Sequence, residues 1–444
     1  MIYRLVKLIL KFSFFLFYKK IIVTGRDKIP TDGPLMIAVN HPNTLIDPLI
    51  IARFTKQRVG FLGNASIFIN KWVNAIFRYF HVIPIYRQQD LKPGQKSDNR
   101  AAFAECHQYL ESGGTLMVFP EGTSFYELKL REIKTGTARI ALSYEQAKQY
   151  QGNLRIIPIS LDYADSLQFR TVVSVHVGNP ISVADFKSAY EKEEKDGIVA
   201  LTQVISDSLA SKIPTTTDKD QEGFLIQAHQ FYTTYLKPDA HLYANPSLSL
   251  KLRSALSRSL QHLHEQKQEL YNDLKHKLQK FYATLDQYSI TAGFVAEKFQ
   301  RKVIPLIYPG YLLLFTLLLP FYLLGLLTNY LPYVLPGKIY KALNVDIEYR
   351  SSVLLVGGIV LFPLFYTVYL LLFQHFISDY WLHSIGFLLL LAISGFVTLY
   401  FWRSMNRFIR LIRFTFHVPK DSLQEIIQLR DEILKDLDQL KVTY

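Results

Sequence analysis

The stretch Leu35-Met36-Ile37-Ala38-Val39-Asn40-His41-Pro42-Asn43-Thr44-Leu45-Ile46-Asp47 places an imidazole and a carboxylate directly after a short apolar run. The apolar run indicates a buried strand, and Pro42 suits the first turn of a helix, so Asp47 is predicted in the early turns of the next element. Five intervening residues would separate the two side chains by roughly 240° on one helix, so they meet only if the chain turns between them. Together they form a general-base arrangement, in which the carboxylate fixes the tautomer of the imidazole.

Further short apolar segments follow along the chain, and helical patterns separate them. The strand candidates are Ile21–Val23, Leu35–Val39, Val59–Leu62, Val82–Ile85, Thr115–Phe119, Ile156–Leu161 and Val172–Val177. Short strands that alternate with helices predict an α/β layer fold with a mixed sheet flanked by helices. Residues 90–100 indicate a polar loop, residues 184–215 a surface helix, and residues 214–223 a linker.

Three of these strands lead into residues that carry chemistry. The run Val82-Ile83-Pro84-Ile85-Tyr86-Arg87 ends in a cation that suits bidentate phosphate binding. Thr115–Phe119 leads into Pro120-Glu121-Gly122-Thr123-Ser124, where the glycine permits a close approach of the backbone. The last run, Leu154–Leu161, is interrupted by Pro158.

The order of these segments resembles the glycerolipid acyltransferase family, the glycerol-3-phosphate and 1-acylglycerol-3-phosphate acyltransferases. His-x5-Asp, I-P-I-x-R, F-P-E-G-T-S and I-P-I-S correspond to its four sequence blocks, and the resemblance covers roughly residues 20 to 215. The commonest family pattern has four residues between His and Asp, whereas five separate His41 from Asp47. In addition, Ser124 stands where many lysophosphatidate acyltransferases carry Arg. Both features resemble the branch with fungal-type glycerol-3-phosphate and dihydroxyacetone-phosphate acyltransferases.

The resemblance implies a role for several residues of these blocks. It implies that His41 is the base, that Asp47 orients it, and that no Ser or Cys nucleophile is needed because the acceptor hydroxyl attacks directly. The residues expected to bind substrate are Arg87, Glu121, Gly122, Thr123, Ser124 and Lys134. Of these, Lys134 is the nearby cation that we add for charge. Pro158 is expected at the acyl tunnel or donor entrance. Whether Glu121 binds the glycerol hydroxyl or braces the turn stays open. Neither a metal nor a cofactor is expected; acyl-CoA or acyl carrier protein supplies the acyl group as co-substrate.

Two questions about function stay open at this point. 1-Acylglycerol-3-phosphate (lysophosphatidate) is the first expectation for the acceptor, with glycerol-3-phosphate or dihydroxyacetone phosphate as the alternative. A non-catalytic, lipid-binding or scramblase-like membrane protein is the alternative from another class, and the intact His41, Asp47, Glu121 and Gly122 argue against it. A hydrolase is disfavoured because the chain lacks a G-x-S-x-G nucleophile elbow.

Composition favours a membrane protein. The 444 residues are 49% hydrophobic and 14% aromatic and carry a net charge of +13, with basic residues beside long apolar segments. Zinc-finger spacing is absent from the sequence, which argues against nucleic acid as a partner. The single Cys106 excludes an intramolecular disulfide. His262, His264 and His276 have no acidic or Cys partner at ligand spacing, so we expect no metal site.

The two ends of the chain predict membrane contacts. Residues 1–20 are apolar with interleaved cations and lack a cleavage site, which indicates a helix at the membrane surface. Leucines near a 3.6-residue period make residues 222–300 a helical region. An all-α membrane region is predicted at residues 303–402, with a hairpin at 303–336 that breaks near Pro320 or Asn329 and spans at 352–373 and 384–402.

The cations beside the apolar segments predict the membrane topology, and the last residues of the chain predict one more helix. With a hairpin at 303–336, every cationic flank lies on the cytoplasmic side together with the catalytic domain. Residues 403–444 comprise a basic segment and an amphipathic helix at Lys420–Tyr444. This helix is expected to dock on the catalytic domain or to pair with another copy, which would make a homo-oligomer.

Overall fold

The computed structural model describes residues 2–55, 58–68, 70–87, 98–214, 216–235, 246–296 and 304–441. The chain divides into two compact units, residues 1–215 with 346–352, and residues 216–345 with 353–444. Most of the loop predicted at residues 90–100, and the cations Arg301 and Lys302 used in the topology argument, lie outside the described residues.

The first unit is built on an eight-stranded mixed sheet. Its strands are β1 Lys20–Thr24, β2 Leu35–Val39, β3 Val59–Asn64, β4 Val82–Ile85, β5 Thr115–Val118, β6 Arg155–Tyr163, β7 Val172–Val177 and β8 Ile181–Ser182. The order is β1-β7-β6-β2-β5-β3-β4, and β8 pairs with β6. The predicted mixed sheet flanked by helices is confirmed; only the two-residue β8 had no counterpart among the strand candidates.

Seven helices accompany the sheet in the described part of this unit. They are α1 Ile2–Phe17, α2 Ile46–Phe54, α3 Lys71–Tyr79, α4 Arg100–Glu111, α5 Gly136–Ala147, α6 Lys187–Lys192 and α7 Glu194–Ala210. The single surface helix predicted at 184–215 is wrong, because Glu193 is extended and separates α6 from α7. One core packs β2 and β5 against α4, α5 and α7; Met36, Cys106, Leu116, Ile140 and Leu201 are fully buried in it.

Strand direction collects the chemistry at one edge of the sheet. β2 is parallel to β5, with Ala38 opposite Val118, and β5 is parallel to β3, which is parallel to β4. The carboxyl ends of β2, β4 and β5 therefore face the same way, and ligands of open α/β sheets bind outside such ends. The segments after these strands contain His41, Arg87 and Glu121.

Helix α1 has two different faces. Phe14 and Phe17 are buried against the domain, and the ammonium of Lys7 donates to the carbonyl of Thr55 at 3.0 Å. Large apolar side chains cover the opposite face; these are Leu5, Leu8, Ile9, Phe12 and Phe15. This distribution is what a helix needs in order to pack on a domain and lie on a membrane surface, and the membrane contact itself stays a prediction.

The second unit is helical throughout its described residues. Its helices are α8 Lys219–Tyr235, α9 Pro246–Gln266, α10 Gln268–Gln287, α11 Ala292–Ala296, α12 Tyr308–Leu343, α13 Arg350–Phe376, α14 Trp381–Phe416 and α15 Lys420–Lys441, with the first turn of α13 assigned to the first unit. By length and composition α12, α14 and the segment Ile347–Phe376 are each able to cross a membrane. The predicted all-α apolar region is confirmed to this extent.

The hairpin predicted at 303–336 is wrong. Helix α12 continues over 36 residues and contains Pro320, Pro332 and Pro336 in its interior. A proline removes one helical hydrogen bond and costs about 3 kcal/mol, but in apolar surroundings a loop would leave many more backbone groups unpaired. Because the helix does not turn back, a hairpin no longer places the cations at its two ends on the same side of a membrane.

Asn329, the other proposed break point, joins three helices instead. Its side-chain amide donates to the carbonyl of Leu391 on α14 at 3.1 Å, and its carbonyl oxygen accepts from the hydroxyl of Tyr366 on α13 at 2.7 Å. Polar side chains buried between apolar helices are stabilised by such hydrogen bonds. A polar residue in an apolar segment marks a helix contact here rather than a turn.

The C-terminal helix α15 packs on α10 within the second unit, a partner that neither sequence-based alternative named. Lys277 forms an ion pair with Asp436 at 2.8 Å, and Lys280 forms one with Glu425 at 2.7 Å. Ile433 and Leu437 are buried on the apolar side of α15. The amphipathic pattern was therefore right about a docked face, and pairing with another copy stays a prediction.

We expect Gly325→Ala to destabilise the helical unit. A Cβ at Gly325 would overlap the carbonyl of Ser394 and the hydroxyl of Thr398 on α14, and overpacking costs about 1–3 kcal/mol. Gly358→Ala on α13 is the matched control, since a Cβ there meets nothing within 4 Å and alanine favours a helix. Thermal unfolding in detergent should show a lower midpoint for Gly325→Ala only; equal midpoints would contradict the close crossing.

Candidate active site

His41 and Asp47 form a hydrogen-bonded pair at the end of β2. Nδ1 of His41 lies 2.9 Å from Oδ2 of Asp47, and the exposed side-chain fractions are 16% and 0%. Helix α2 begins at Ile46, so Asp47 lies in its first turn and the preceding residues make the turn that the spacing requires. Because Nδ1 faces the carboxylate, Nε2 is the nitrogen left to exchange a proton with a substrate.

Both oxygens of the buried Asp47 carboxylate accept hydrogen bonds. The backbone N–H of Asn43 donates to Oδ2 at 2.7 Å, and the hydroxyl of Tyr163, at the end of β6, donates to Oδ1 at 2.6 Å. Burial, and then the charge of Asp47, raises the pKa of Tyr163 well above its usual range, so the phenol stays protonated as a donor. Asp47 is therefore held from two sides.

His41 is also fixed by the segment that follows β5. Its ring stacks on Phe119 with 3.9 Å between centroids and 20° between planes. Its backbone N–H donates to Oε1 of Glu121 at 2.8 Å, and its carbonyl accepts from the N–H of Phe125 at 3.1 Å. Ring and backbone are thus both constrained, as a base that must meet a substrate hydroxyl in one geometry requires.

Glu121 braces two segments of the chain. Its Oε2 accepts from the backbone N–H of Arg131 at 3.1 Å, while Oε1 accepts from His41. Burial raises the pKa of Glu121, and the two backbone donors oppose that rise. Of the two roles left open by the sequence, the observed contacts are those of the brace.

Two cations converge on the turn at Gly122. Nη1 of Arg87 donates to the carbonyl of Gly122 at 2.7 Å. The Nζ of Lys134 lies 3.0 Å from the place that a Cβ on Gly122 would occupy, and Gly122 has φ +79°, which favours glycine. Thr123 and Ser124 are half-buried in the same turn. Such a turn offers both charge and close backbone approach to a phosphate.

The remaining predicted residues are used differently. Pro158 is buried inside β6 opposite Ala38, and its carbonyl accepts from the N–H of Gly178 at 2.8 Å. It lies where the partner of β6 changes from β8 to β7, a position that tolerates the missing N–H. The structure therefore gives Pro158 a place in the sheet and does not bring it to the His41 group.

Sequence reasoning missed three contributors to this site. Tyr163, Phe119 and the backbone of Asn43 contact the catalytic pair, and none belongs to the candidate set. A signal existed for Tyr163, because it ends the strand next to β2 and a polar aromatic residue there reaches the same edge. The stacking of Phe119 had no signal, since an apolar residue ending a buried strand is usually core.

We expect the stability of Glu121→Gln relative to the wild type to rise with pH. Where folding raises the pKa of a carboxyl, that group does not lower the stability of the fold below the ordinary glutamate pKa of 4.5. Its ionisation then destabilises the folded state as pH rises through the raised pKa. The variant lacks this ionisation. Thermal unfolding of both proteins from about pH 4 to about pH 7 tests it; a difference between them that does not change with pH would contradict the raised pKa of Glu121.

Known proteins are similar to this chain in sequence. Residues 20–162 match the sequence model of the Acyltransferase family. The chain is 28% identical to a 1-acyl-sn-glycerol-3-phosphate acyltransferase of Borreliella burgdorferi, over 46% of this chain and 76% of that protein. It is 27% identical to glycerol-3-phosphate O-acyltransferase 2 of Saccharomyces cerevisiae, over 32% of this chain and 19% of that protein.

The chain is also similar to a solved structure, and it covers only part of its relatives. The crystal structure of the 1-acyl-sn-glycerophosphate acyltransferase PlsC from Thermotoga maritima is 22% identical, with a TM-score of 0.33, over 45% of this chain and 78% of that one. The chain spans less than half the length of the yeast relatives that it matches. Over residues 20–162 the chain carries an acyltransferase-family domain.

Proposed function

We propose that this protein is a membrane-bound glycerolipid O-acyltransferase that moves a fatty acyl group from a thioester to a glycerol-phosphate acceptor. The observation that carries the proposal is the His41–Asp47 pair, joined at 2.9 Å with the carboxylate fully buried. An imidazole braced in this way is suited to act as a general base. The acyltransferase-family domain supports the same reaction class.

The pair accounts for the proton balance of the reaction. The acceptor hydroxyl attacks the thioester carbonyl, a C–O bond forms, and the hydroxyl proton moves to Nε2 of His41. The C–S bond then breaks and the same proton passes to the leaving thiolate. Asp47 stabilises the imidazolium between these steps, as the acid does in other triads. Neither a metal nor a cofactor enters this sequence.

The cations beside Gly122 indicate a phosphate on the acceptor. Arg87 and Lys134 both lie against this turn, next to the loop that holds His41. We place the acceptor phosphate there and its hydroxyl at Nε2 of His41. 1-Acylglycerol-3-phosphate is our first acceptor, in keeping with the Borreliella relative. Glycerol-3-phosphate or dihydroxyacetone phosphate is the second, favoured by the five-residue His-to-Asp spacing and the yeast relatives.

Membrane attachment fits the same chemistry. The product of such a reaction carries an acyl chain, as does a lysophosphatidate acceptor, and extraction from a bilayer costs about 0.8 kcal/mol per exposed CH₂. Three helices in the described residues are long and apolar enough to cross a bilayer. We propose that the catalytic domain lies on the cytoplasmic side, with membrane lipids as partners and acyl-CoA or acyl carrier protein as donor.

We expect His41→Ala to slow acyl transfer severely. Loss of a positioned base lowers kcat by about 10²–10⁴-fold. Purified protein in nanodiscs should be assayed with acyl-CoA and acyl carrier protein thioesters against lysophosphatidate, glycerol-3-phosphate and dihydroxyacetone phosphate. His276→Ala, at an exposed position of α10, is the control. Equal acyl incorporation by His41→Ala and wild type would leave the enzyme assignment without support.

Arg87→Gln should act on acceptor binding more than on chemistry. Removal of a charge-assisted contact to phosphate costs about 1.5–3 kcal/mol, which raises the KM for the acceptor by about 10- to 100-fold. The KM for the thioester should change little. Arg139→Gln, at an exposed site on α5, controls for net charge. An unchanged acceptor KM would place the phosphate elsewhere.

Tyr163→Phe should lower kcat by about tenfold. The change leaves Oδ1 of Asp47 buried without its hydroxyl donor, and an unpaired acceptor costs about 1–3 kcal/mol. The KM values should stay near those of the wild type because Tyr163 contacts Asp47 rather than a substrate. Tyr109→Phe removes a hydroxyl that donates to the backbone carbonyl of Arg58 and serves as control. A wild-type kcat for Tyr163→Phe would show that Asp47 does not need this donor.

A further inference from the structure

Residues 346–352, the connector between α12 and α13, belong to the unit of the acyltransferase-family domain. The connector comprises a 3-10 turn at Ile347–Tyr349 and the first turn of α13. About three hundred positions separate it in sequence from the His41 loop, and the family match ends well before it. Its contacts with the site are therefore unexplained by the domain itself.

Thr44 is the first point of attachment. This residue lies between His41 and Asp47 and is buried, as are Ser351 and Ser352 of the connector. The hydroxyl of Thr44 lies 2.7 Å from that of Ser352 and 3.2 Å from the carbonyl of Glu348. Two hydrogen bonds therefore hold the middle of the catalytic turn, the residues between His41 and Asp47.

The second point of attachment is the loop that follows Glu121. The backbone N–H of Tyr126 donates to Oε1 of Glu348 at 2.9 Å. The preceding N–H, that of Phe125, donates to the carbonyl of His41. Consecutive amides thus tie this loop to His41 on one side and to the connector on the other.

The third point of attachment is the carbonyl of Ser166. The hydroxyl of Ser351 donates to the carbonyl of Ser166, and the side-chain amide of Asn43 donates to the same carbonyl at 3.3 Å. Ser166 follows β6, the strand that ends in Tyr163. The connector therefore reaches each of the three segments that hold the catalytic pair.

We propose that residues 346–352 are a positioning clamp for the active site, with Thr44, Glu348 and Ser352 as its positioning residues. The clamp rests on the proposed acyltransferase function. It fixes the turn between His41 and Asp47 and the loop after Glu121, so that Nε2 of His41 meets the acceptor hydroxyl in one geometry. A misplacement of about 1 Å costs on the order of 100-fold in rate.

The clamp also links chemistry to the membrane part of the chain. Its last residues are the first turn of α13, which continues as an apolar helix able to cross a bilayer. The catalytic turn is thus hydrogen-bonded to the start of a candidate span.

Kinetics of hydroxyl-deletion variants test the clamp. Thr44→Val and Ser352→Ala should each lower kcat by about tenfold with KM values within about twofold, and the double variant should lose little more, since the two hydroxyls share one hydrogen bond. Thr202→Val removes a hydroxyl bonded to Ile198 in α7 and is the matched control. Wild-type kcat in both single variants, or losses that multiply fully, would overturn the proposal.

Hydrogen exchange tests the clamp without any activity. In Glu348→Ala the peptide that contains Tyr126 should exchange its amide hydrogens faster than in wild type, whereas Glu348→Gln keeps an acceptor and should restore both protection and kcat. Unchanged protection in Glu348→Ala would overturn the clamp even if the wild type transfers acyl groups. If the wild type is inactive with every acceptor but Glu348→Ala loses protection, the proposed function fails and the contact stands.

Discussion

The buried carboxylate of Asp47 is the constraint on which the site depends. An ionised group without solvent is tolerated only where hydrogen bonds replace its hydration. His41, the backbone of Asn43 and the hydroxyl of Tyr163 supply those bonds. The donors come from the turn after β2 and from the end of β6, so the same carboxylate that orients the imidazole also joins two neighbouring strands. Catalytic geometry and local stability are thus inseparable here.

The parallel sheet explains why distant segments supply one site. β2, β5, β3 and β4 run side by side in the same direction, so the segments after three of them end at one edge. Glu121 then joins the segments by accepting from His41 and from Arg131. The cations at Gly122 come from β4 and from the residues before α5. The direction of the strands brings each group to this edge of the sheet, and hydrogen bonds then fix its position.

Sequence reasoning succeeded where a short-range pattern determines the outcome. Apolar runs bounded by turn residues predicted seven of the strands, and the His-to-Asp spacing predicted the turn that brings the pair together. It failed where the deciding contact is distant in sequence. The hairpin predicted to break near Pro320 or Asn329 was wrong: α12 is continuous, and Asn329 hydrogen-bonds to Leu391 and Tyr366 on two other helices. Tyr163 was missed because its partner Asp47 lies more than one hundred positions away.

The five-residue spacing contains a turn that backbone hydrogen bonds close. The carbonyl of Asn43 accepts from the N–H groups of Ile46 and Asp47 at 3.0 and 3.3 Å, which starts α2 and aims Asp47 back at His41. Thr44 lies inside this closed turn, and its hydroxyl lies 2.7 Å from that of Ser352. The backbone of the turn therefore serves the catalytic pair, while the side chain of Thr44 makes contacts with Glu348 and Ser352.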